Sequence, residues 1–375
     1  MFNIYKVIIL IIILIINKYS KPILLNFIKF YSLKKIRKFL DKCLLNINNN
    51  QNFMIPYIIP KVTVIIPIFN CNNTIKSSIN SIQNQKLKDL EIILINDFSK
   101  DNSKLIIENI KKLDSRIFII NNNKNMGTLY SRNIGVLAAK GKFIFALDND
   151  DMFLDENLFY RLYKEAEKNK YDIIGFKTII GYDYFSNIYE MYDEPFIKNK
   201  NKFVVYQPKL SLYSLNNNDC HIWGKCIKNE IYKKAVNMLG KKRYSIYLCY
   251  AEDDIMIFLL FKISKSFKFI NKYGLFHLKS NKTASFYFSR NNRNHIAFSK
   301  LYFLNFLLDF TDNNFESKKY VISNAIIFYD KFFSKILLNK ENQQYLNKVL
   351  YKILNCNFIS NDDKEKLKYH YRNIK

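Results

Sequence analysis

No Gly-x-Gly-x-x-Gly follows a candidate strand, and no Gly-x-x-x-x-Gly-Lys-Ser/Thr occurs anywhere. Dinucleotide-binding dehydrogenases and P-loop nucleotide hydrolases are therefore disfavoured. The six cysteines, at 43, 71, 220, 226, 249 and 356, form no Cys-x-x-Cys, so neither a zinc ribbon nor a redox pair is suggested. So few in so long a chain do not make a disulfide framework. Glycine (8) and proline (6) are sparse, while Asn, Lys, Ile and Tyr abound. That bias follows AT-rich coding as much as physical selection, so the Asn-rich patches are not taken as disorder. Charge is lopsided, with 59 basic against 32 acidic residues and a net +27. The excess favours anionic partners. No block of five or six basic residues occurs, however. Dispersed lysines lack the one-faced clustering with interleaved aromatics that nucleic-acid binding needs, and no nucleic-acid partner is expected.

What is present suffices for a sizeable core: 375 residues, 49% of them hydrophobic. That is one large domain or two modest ones. Residues 1–21 hold one apolar run, Val7 to Ile16, flanked by Lys6, Lys18 and Lys21. The run is short of the about 20 residues of a spanning helix. It suits a signal anchor or the hydrophobic core of a signal peptide, though no small-x-small cleavage site follows. An N-terminal hydrophobic helix with a single anchor and membrane association is expected; the secretory-pathway lumen and the cytoplasm are the alternatives. Residues 22–60 read as a basic amphipathic helix and an Asn-rich linker, punctuated by Pro56 and Pro60.

From Lys61 the pattern alternates. Buried strands are expected at Lys61–Asn70, ending at Pro67, and at Glu91–Asn96, Arg116–Ile120, Phe143–Leu147 and Asp172–Phe176. Helices are expected at Asn72–Gln85, with Ile75, Ile79 and Ile82 on one face, at Asp101–Leu113, capped by Ser99 or Asp101, and at Gly127–Ala139 and Asp155–Asn169. Strands alternating with helices of this length predict an α/β fold with a mostly parallel, doubly wound sheet. Residues 286–375 are aromatic and basic, with helical spacing at Ile296–Phe310 and Tyr320–Leu338, and read as an α-helical appendage.

The most informative stretch is Phe143–Asp151, FIFALDNDD. A short apolar strand runs into Asp148, Asn149, Asp150 and Asp151. Open α/β sheets bind ligands at the carboxyl ends of their strands. Two carboxylates separated by one residue can converge there on a hard divalent cation, Mn2+ or Mg2+, that keeps positions open for phosphate oxygens.

Residues 62 to about 177 resemble the family 2 glycosyltransferases, which have a GT-A fold. The matching pieces are VTVIIPIFN at 62–70, EIILINDFSKDNS at 91–103 and NMGTLYSRNIGVLAAKGKFIFALDNDD at 125–151. HIWGKCIKNEIY at 221–232 and AEDDIMIF at 251–258 resemble the acceptor-side half. The resemblance covers roughly residues 61–285, the expected catalytic domain. One departure stands out: of the two adjacent acids the family has after its second strand, the first is Asn96 here.

The resemblance implies an inverting transfer of a sugar from a nucleotide-diphosphate donor, UDP-linked, to a hydroxyl of a glycan, glycoprotein or lipid. On the donor side it implicates Pro67 and Phe69 at the base, Asp97 accepting from the base or ribose, Gly127 allowing close backbone approach, Arg132 facing the diphosphate or the acidic turn, and Asp148 with Asn149. It implies Asp150 as metal ligand, with Asp148 and His277 as further candidates. Asp253 becomes the general base, with Asp254 the fallback, and Glu252 lies beside them. Trp223 offers a ring to a sugar face and Lys225 an ammonium to the donor phosphates. The competing reading is a catalytically silent sugar- or nucleotide-binding relative, which would have lost the base or the metal site.

Overall fold

The computed structural model describes residues 59–181, 221–248, 250–278, 293–310 and 340–355, residues 361, 364, 365 and 368, and the backbone of two strands, 189–192 and 204–206. The expected N-terminal helix, the basic helix and most of the linker, and the helical pattern at Tyr320–Leu338 lie outside the described residues. The chain divides after Ile58, and Ile59–Lys375 is one compact unit. No described helix is long and apolar enough to cross a membrane.

The opening elements follow the apolar pattern. They are β1 (Val62–Ile68), α1 (Ile75–Gln83), β2 (Leu90–Asn96), α2 (Ser103–Leu113), β3 (Ile117–Asn121), α3 (Thr128–Ala138) and β4 (Phe143–Ala146). All seven residues of β1 and all seven of β2 are buried, as a sheet covered on both faces requires. Successive side chains alternate between the faces. Ile65, Ile93, Ile95, Ile144 and Ala146 enter one core, while Val64, Ile66, Ile92, Leu94, Phe143 and Phe145 enter the other.

The expected strand end at Pro67 is off by one residue, because β1 runs on to Ile68 in register with β2. Proline survives in this inner strand for a specific reason. Ile65 and Pro67 turn their backbone groups toward β4, whose ladder with β1 ends at Ile65. The missing N–H therefore faces no acceptor strand, and the Pro67 carbonyl accepts from Asn149 Nδ2 at 3.1 Å.

The sheet continues with β5 (Met152–Phe153), then α4 (Leu158–Asn169), β6 (Ile173–Gly181), β7 (Tyr189–Tyr192), β8 (Val204–Tyr206), β9 (Lys225–Lys228), α5 (Asn229–Leu239), α6 (Lys241–Tyr244), α7 (Glu252–Ile263) and β10 (Ser266–Leu278). Its order is β3-β2-β1-β4-β9-β6-β10-β5, with β7 on β6 and β8 on β10. The expectation of a mostly parallel sheet needs correction. β3, β2, β1 and β4 are parallel, as are β6 and β10, but β9 runs against both β4 and β6, and β5, β7 and β8 are antiparallel too. The sheet is mixed.

That reversal positions the site. β6 and β10 run in the same sense as β4, so their carboxyl ends share its edge. β9 starts where β4 stops. Residues 148–151, 221–225 and 277 are thereby brought to one rim.

α3, α5 and α7 cover one face. Ile255 to Phe261 of α7 are all buried, as a helix apolar all round must be. α8 (Arg293–Phe310) packs on α7, and α9 (Lys340–Leu354) packs on α8.

α3 lies tight on the sheet. A Cβ at Gly135 would stand 2.7 Å from Ile65 Cγ2 and 2.8 Å from Ile95 Cδ1. In an exposed helix, Gly to Ala stabilises by about 1 kcal/mol. Here overpacking reverses the sign, and Gly135→Ala is expected to cost about 1–3 kcal/mol in urea unfolding. A stabilised variant would contradict this packing.

Candidate active site

The loops leaving β1 and β2 are laced together. Asn70 N donates to Ser99 Oγ at 3.2 Å, and Lys100 N donates to Asn70 Oδ1 at 2.8 Å. Both loops carry a left-handed residue, Asn70 at φ 49° and Phe98 at φ 64°. Phe69 and Phe98 stay exposed, at 42% and 39%. Asn96, where the resembled family has an acid, donates to Asn121 Oδ1 at 2.9 Å and accepts from Ser99 N at 3.1 Å. The expected cap of α2 by Ser99 does not form. Asp101 accepts from Ser103 N at 3.0 Å and also from Asn72 N at 3.0 Å.

Asp97 is buried to 3% exposure. Its Oδ1 accepts from Asn122 Nδ2 at 2.7 Å and Met126 N at 2.8 Å, and its Oδ2 from Gly127 N at 2.8 Å. These bonds give it a task the sequence did not reveal. It ties the turn before α3 to the end of β2, with its charge at the positive end of α3. Gly127 caps α3 at φ 85°, a conformation that favours glycine.

The turn after β4 is equally tied down. Asn149 reaches the Pro67 carbonyl, and its own carbonyl accepts from Ser78 Oγ at 3.0 Å. Asp151, fully buried, accepts from Leu278 N at 3.1 Å and lies 2.9 Å from His277 Nδ1. Sequence reasoning missed this orienting role, since the partners are 126 residues apart. Burial would depress the imidazole, but the charge and hydrogen bond of Asp151, backed by Asp148 and Asp150, push His277 up to about 9. Burial, then the charges of Asp151 and Asp148, push the Asp150 carboxyl up to about 8.

Trp223 stacks near parallel with two imidazoles, His221 at 4.3 Å and His277 at 5.1 Å between ring centroids. It is 6% exposed, so the indole expected to offer a face to a sugar is buried here. Lys225 is also buried, at 1% exposure, and its ammonium donates to the His221 carbonyl at 2.9 Å. It thus closes its own turn instead of standing open to a ligand.

At the centre is Arg132, 2% exposed. Its guanidinium donates to Asp148 Oδ1 at 2.9 Å and, more tightly, to Asp253 Oδ1. Asp253 Oδ2 accepts from Ile222 N at 3.0 Å. Three expected site residues, on α3, after β4 and on α7, therefore meet, and it is Asp253 rather than Asp254 that takes the guanidinium. Burial works against the Arg132 charge, but the two carboxylates overcome it and hold the arginine protonated. Glu252, beside the bridge, is pushed up to about 8 by burial and then by Asp253. Behind it, Arg132 Nε and the Tyr232 hydroxyl are buried without hydrogen-bond partners, and burial raises the tyrosine above its ordinary pKa.

The residues fit a divalent cation of the kind that completes its shell with substrate oxygens. Among the described residues no three His, Cys, Asp or Glu side chains form a ready cage. Mg2+-like ions, however, are usually held by one or two carboxylates plus phosphates. Asp150, on the turn after β4, could supply one ligand. His277, oriented through Nδ1 by Asp151, could supply another through Nε2, the carboxylate–histidine arrangement common around metals.

Comparisons with known proteins agree with this geometry. Residues 63–224 match the family model described as glycosyl transferase family 2. An uncharacterized glycosyltransferase of Bacillus subtilis, EpsJ, is 42% identical over 117 residues, 31% of this chain and 33% of its own. The GalNAc(5)-diNAcBac-PP-undecaprenol beta-1,3-glucosyltransferase of Campylobacter jejuni is 40% identical over 109 residues, 29% of this chain and 35% of its own. The match thus spans about a third of each relative's length. Among solved structures, Staphylococcus aureus TarS 1–349 in complex with UDP-GlcNAc aligns at TM-score 0.58 and 16% identity, over 78% of this chain and 80% of that one. That likeness is one of fold, the GT-A fold.

Removing one partner of a buried ion pair strands the other. Arg132→Met is expected to cost about 3 kcal/mol or more in urea unfolding. Paired with Asp253→Asn, the double variant should fall short of the sum of the single costs by about 1 kcal/mol or more. Additive costs would mean that the two side chains are not coupled.

Proposed function

With residues 63–224 forming a family 2 glycosyltransferase domain, we propose that this chain transfers a sugar from a UDP-linked donor to an acceptor hydroxyl, with inversion at the anomeric carbon. The observation that carries the reading is the Arg132 bridge, which joins the acidic turn to Asp253.

In this reaction the acceptor oxygen bonds to the anomeric carbon as the carbon–oxygen bond to the nucleotide diphosphate breaks, in line. The hydroxyl proton goes to Asp253. Each Asp253 oxygen holds one donor from the protein and keeps a lone pair for the acceptor. Arg132 holds Asp253 and Asp148 in place. Asp148 and Asn149 meet the donor sugar and ribose, and exposed Phe69 meets the base. Asp97 contributes by shaping the turn at Gly127. Asp150 and His277 would hold the cation, Mn2+ or Mg2+, whose positive charge would offset that of the departing nucleotide.

The acceptor we propose is a glycan, lipid-linked as the name of the Campylobacter protein says of that protein. Membrane association through residues 1–21 belongs to the same reading. A catalytically silent relative is disfavoured by the retention of Asp148, Asp150 and Asp253 together.

General-base catalysis contributes about 10²- to 10⁴-fold. Asp253→Asn is expected to lower turnover by at least that lower figure, read as UDP release with Mn2+, while leaving UDP affinity nearly intact. A variant that keeps its activity removes Asp253 from this role.

Cation binding must displace the protons that Asp150 holds up to about pH 8 and His277 up to about pH 9. Mn2+ affinity should therefore rise with pH by about a hundredfold per unit between 6 and 8. Trp223, the only tryptophan, stacks on His277 and reports binding by its quenching. Asp150→Asn should reduce the slope to about tenfold per unit, the share of His277, and an unchanged slope in that variant would rule out Asp150 as a ligand.

A further inference from the structure

Beyond the family match, the chain returns to the rim of the cleft. The segment leading into α7 carries two exposed tyrosines, Tyr247 at 38% and Tyr250 at 44%. Tyr247 lies over the start of α3, where a Cβ on Gly127 would stand 3.1 Å from its Cδ2. Gly127 is the residue whose amide Asp97 holds, so Tyr247 borders the donor-side turn. Its ring also meets His295, in the first turn of α8, with centroids 6.4 Å apart. Tyr250 precedes Ala251, whose left-handed φ of 61° turns the chain into α7 two residues before Asp253. The Lys300 ammonium, from α8, stands 4.9 Å from the Tyr250 ring centroid.

These four side chains come from two segments outside residues 63–224 and pair as Tyr247 with His295 and Tyr250 with Lys300, Tyr250 three residues before Asp253. Aromatic rings suit the apolar faces of sugars. The guanidinium of the cleft is already shared between Asp148 and Asp253, so an anionic group on an acceptor is drawn instead to positive charge at the rim. Lys300 provides that charge on Tyr250.

We propose that Tyr247, Tyr250, His295 and Lys300 form the acceptor subsite, and that its occupant is a saccharide bearing a phosphate or diphosphate ester. The proposal rests on the transferase reading above. The sugar lies along the tyrosines with its hydroxyl toward Asp253, and the ester lies toward Lys300. α8 is then a specificity element, and the family-matched part alone lacks the means to choose its acceptor.

The test uses the full chain with Mn2+ and the UDP-sugar it hydrolyses fastest in water. UDP release is measured with octyl N-acetylglucosaminyl diphosphate, N-acetylglucosamine 1-phosphate and octyl N-acetylglucosaminide, and with their galactosamine counterparts. The phosphate-bearing compounds should stimulate release at lower concentration than the neutral glycosides. Equal potency of the two phosphate-bearing forms identifies the phosphate itself as the recognised group; a preference for the octyl diphosphate identifies the lipid-linked form. Tyr250→Ala should raise the acceptor KM about five- to tenfold, and Tyr250→Phe should leave it near wild type. Lys300→Gln should raise it about threefold, for phosphate-bearing acceptors alone. Donor KM and hydrolysis without acceptor should not move in any variant.

Stimulation by the neutral glycosides equal to that by the phosphate-bearing compounds would overturn the proposal. So would no stimulation by any compound despite donor hydrolysis, a shift in donor KM, or unchanged acceptor KM in Tyr250→Ala and Lys300→Gln. Absence of both donor hydrolysis and UDP binding would instead remove the transferase reading itself.

Discussion

A guanidinium at 2% exposure is tolerable only with its counter-charges in place, since an uncompensated buried charge costs several kcal/mol. Arg132 meets that condition with two carboxylates, one 16 and one 121 residues away in the chain. Three elements must therefore arrive together: α3, the turn after β4 and the first turn of α7. The guanidinium also divides the acids around it. Asp148 and Asp253 share it directly. Asp150 and Glu252 lie outside the bridge and are each pushed up to about 8. The cleft thus holds two carboxyl groups fixed by the guanidinium and two others whose protons burial retains to higher pH. Such separation of neighbouring acids is what a site needs when one group must accept a proton and another must hold a metal.

The mixed sheet is the mechanical complement of this electrostatic arrangement. A wholly parallel sheet would deliver only strand ends and helix starts to its carboxyl edge. Because β9 runs against β4, the chain enters β9 at that edge, and residues 221–224 pass over it. Ile222 can then donate to Asp253, and Trp223 can stack with both His221 and His277. β10 runs with β6 and ends at the same rim, where Asp151 receives both His277 and the Leu278 amide.

Strands buried on both faces read as unbroken apolar runs, so β1, β2 and β4 were legible within a residue or so, as was the acidic turn that β4 leads into. The pairing of β9 was not. Its four residues carry no pattern that distinguishes antiparallel from parallel neighbours, and only long-range register decides. The candidate residues divide in the same way. Asp148 and Asp253 were recognisable by residue type and spacing, but their common partner Arg132 had two plausible directions, toward the diphosphate or toward the acids. Trp223 was read as an open ring because nothing local signals that it would be buried and stacked with two imidazoles, one 54 residues later in the chain. Asp97 was legible as chemistry but not as a brace, since its three donors come from a turn whose path depends on α3 docking.

Backbone strain at this edge shows how the site is afforded. Four described non-glycine residues have left-handed φ: Asn70, Phe98, Lys170 and Ala251. Lys170 ends a helix, an ordinary place for that conformation, and Asn adopts it readily. Phe98 and Ala251 do not, and each costs about 1–2 kcal/mol. They stand immediately after Asp97 and immediately before the acidic start of α7. The compensation is visible in the elements they join. Phe98 follows a strand buried along its whole length. Ala251 opens a helix in which seven consecutive side chains, Ile255 to Phe261, are buried, each contributing about 1.5–3 kcal/mol. Even discounted for a partly compact unfolded chain, that burial exceeds the strain several-fold. The apolar body of α7 thereby holds three acids at its first turn, where neither their mutual repulsion nor the bend before them would otherwise persist.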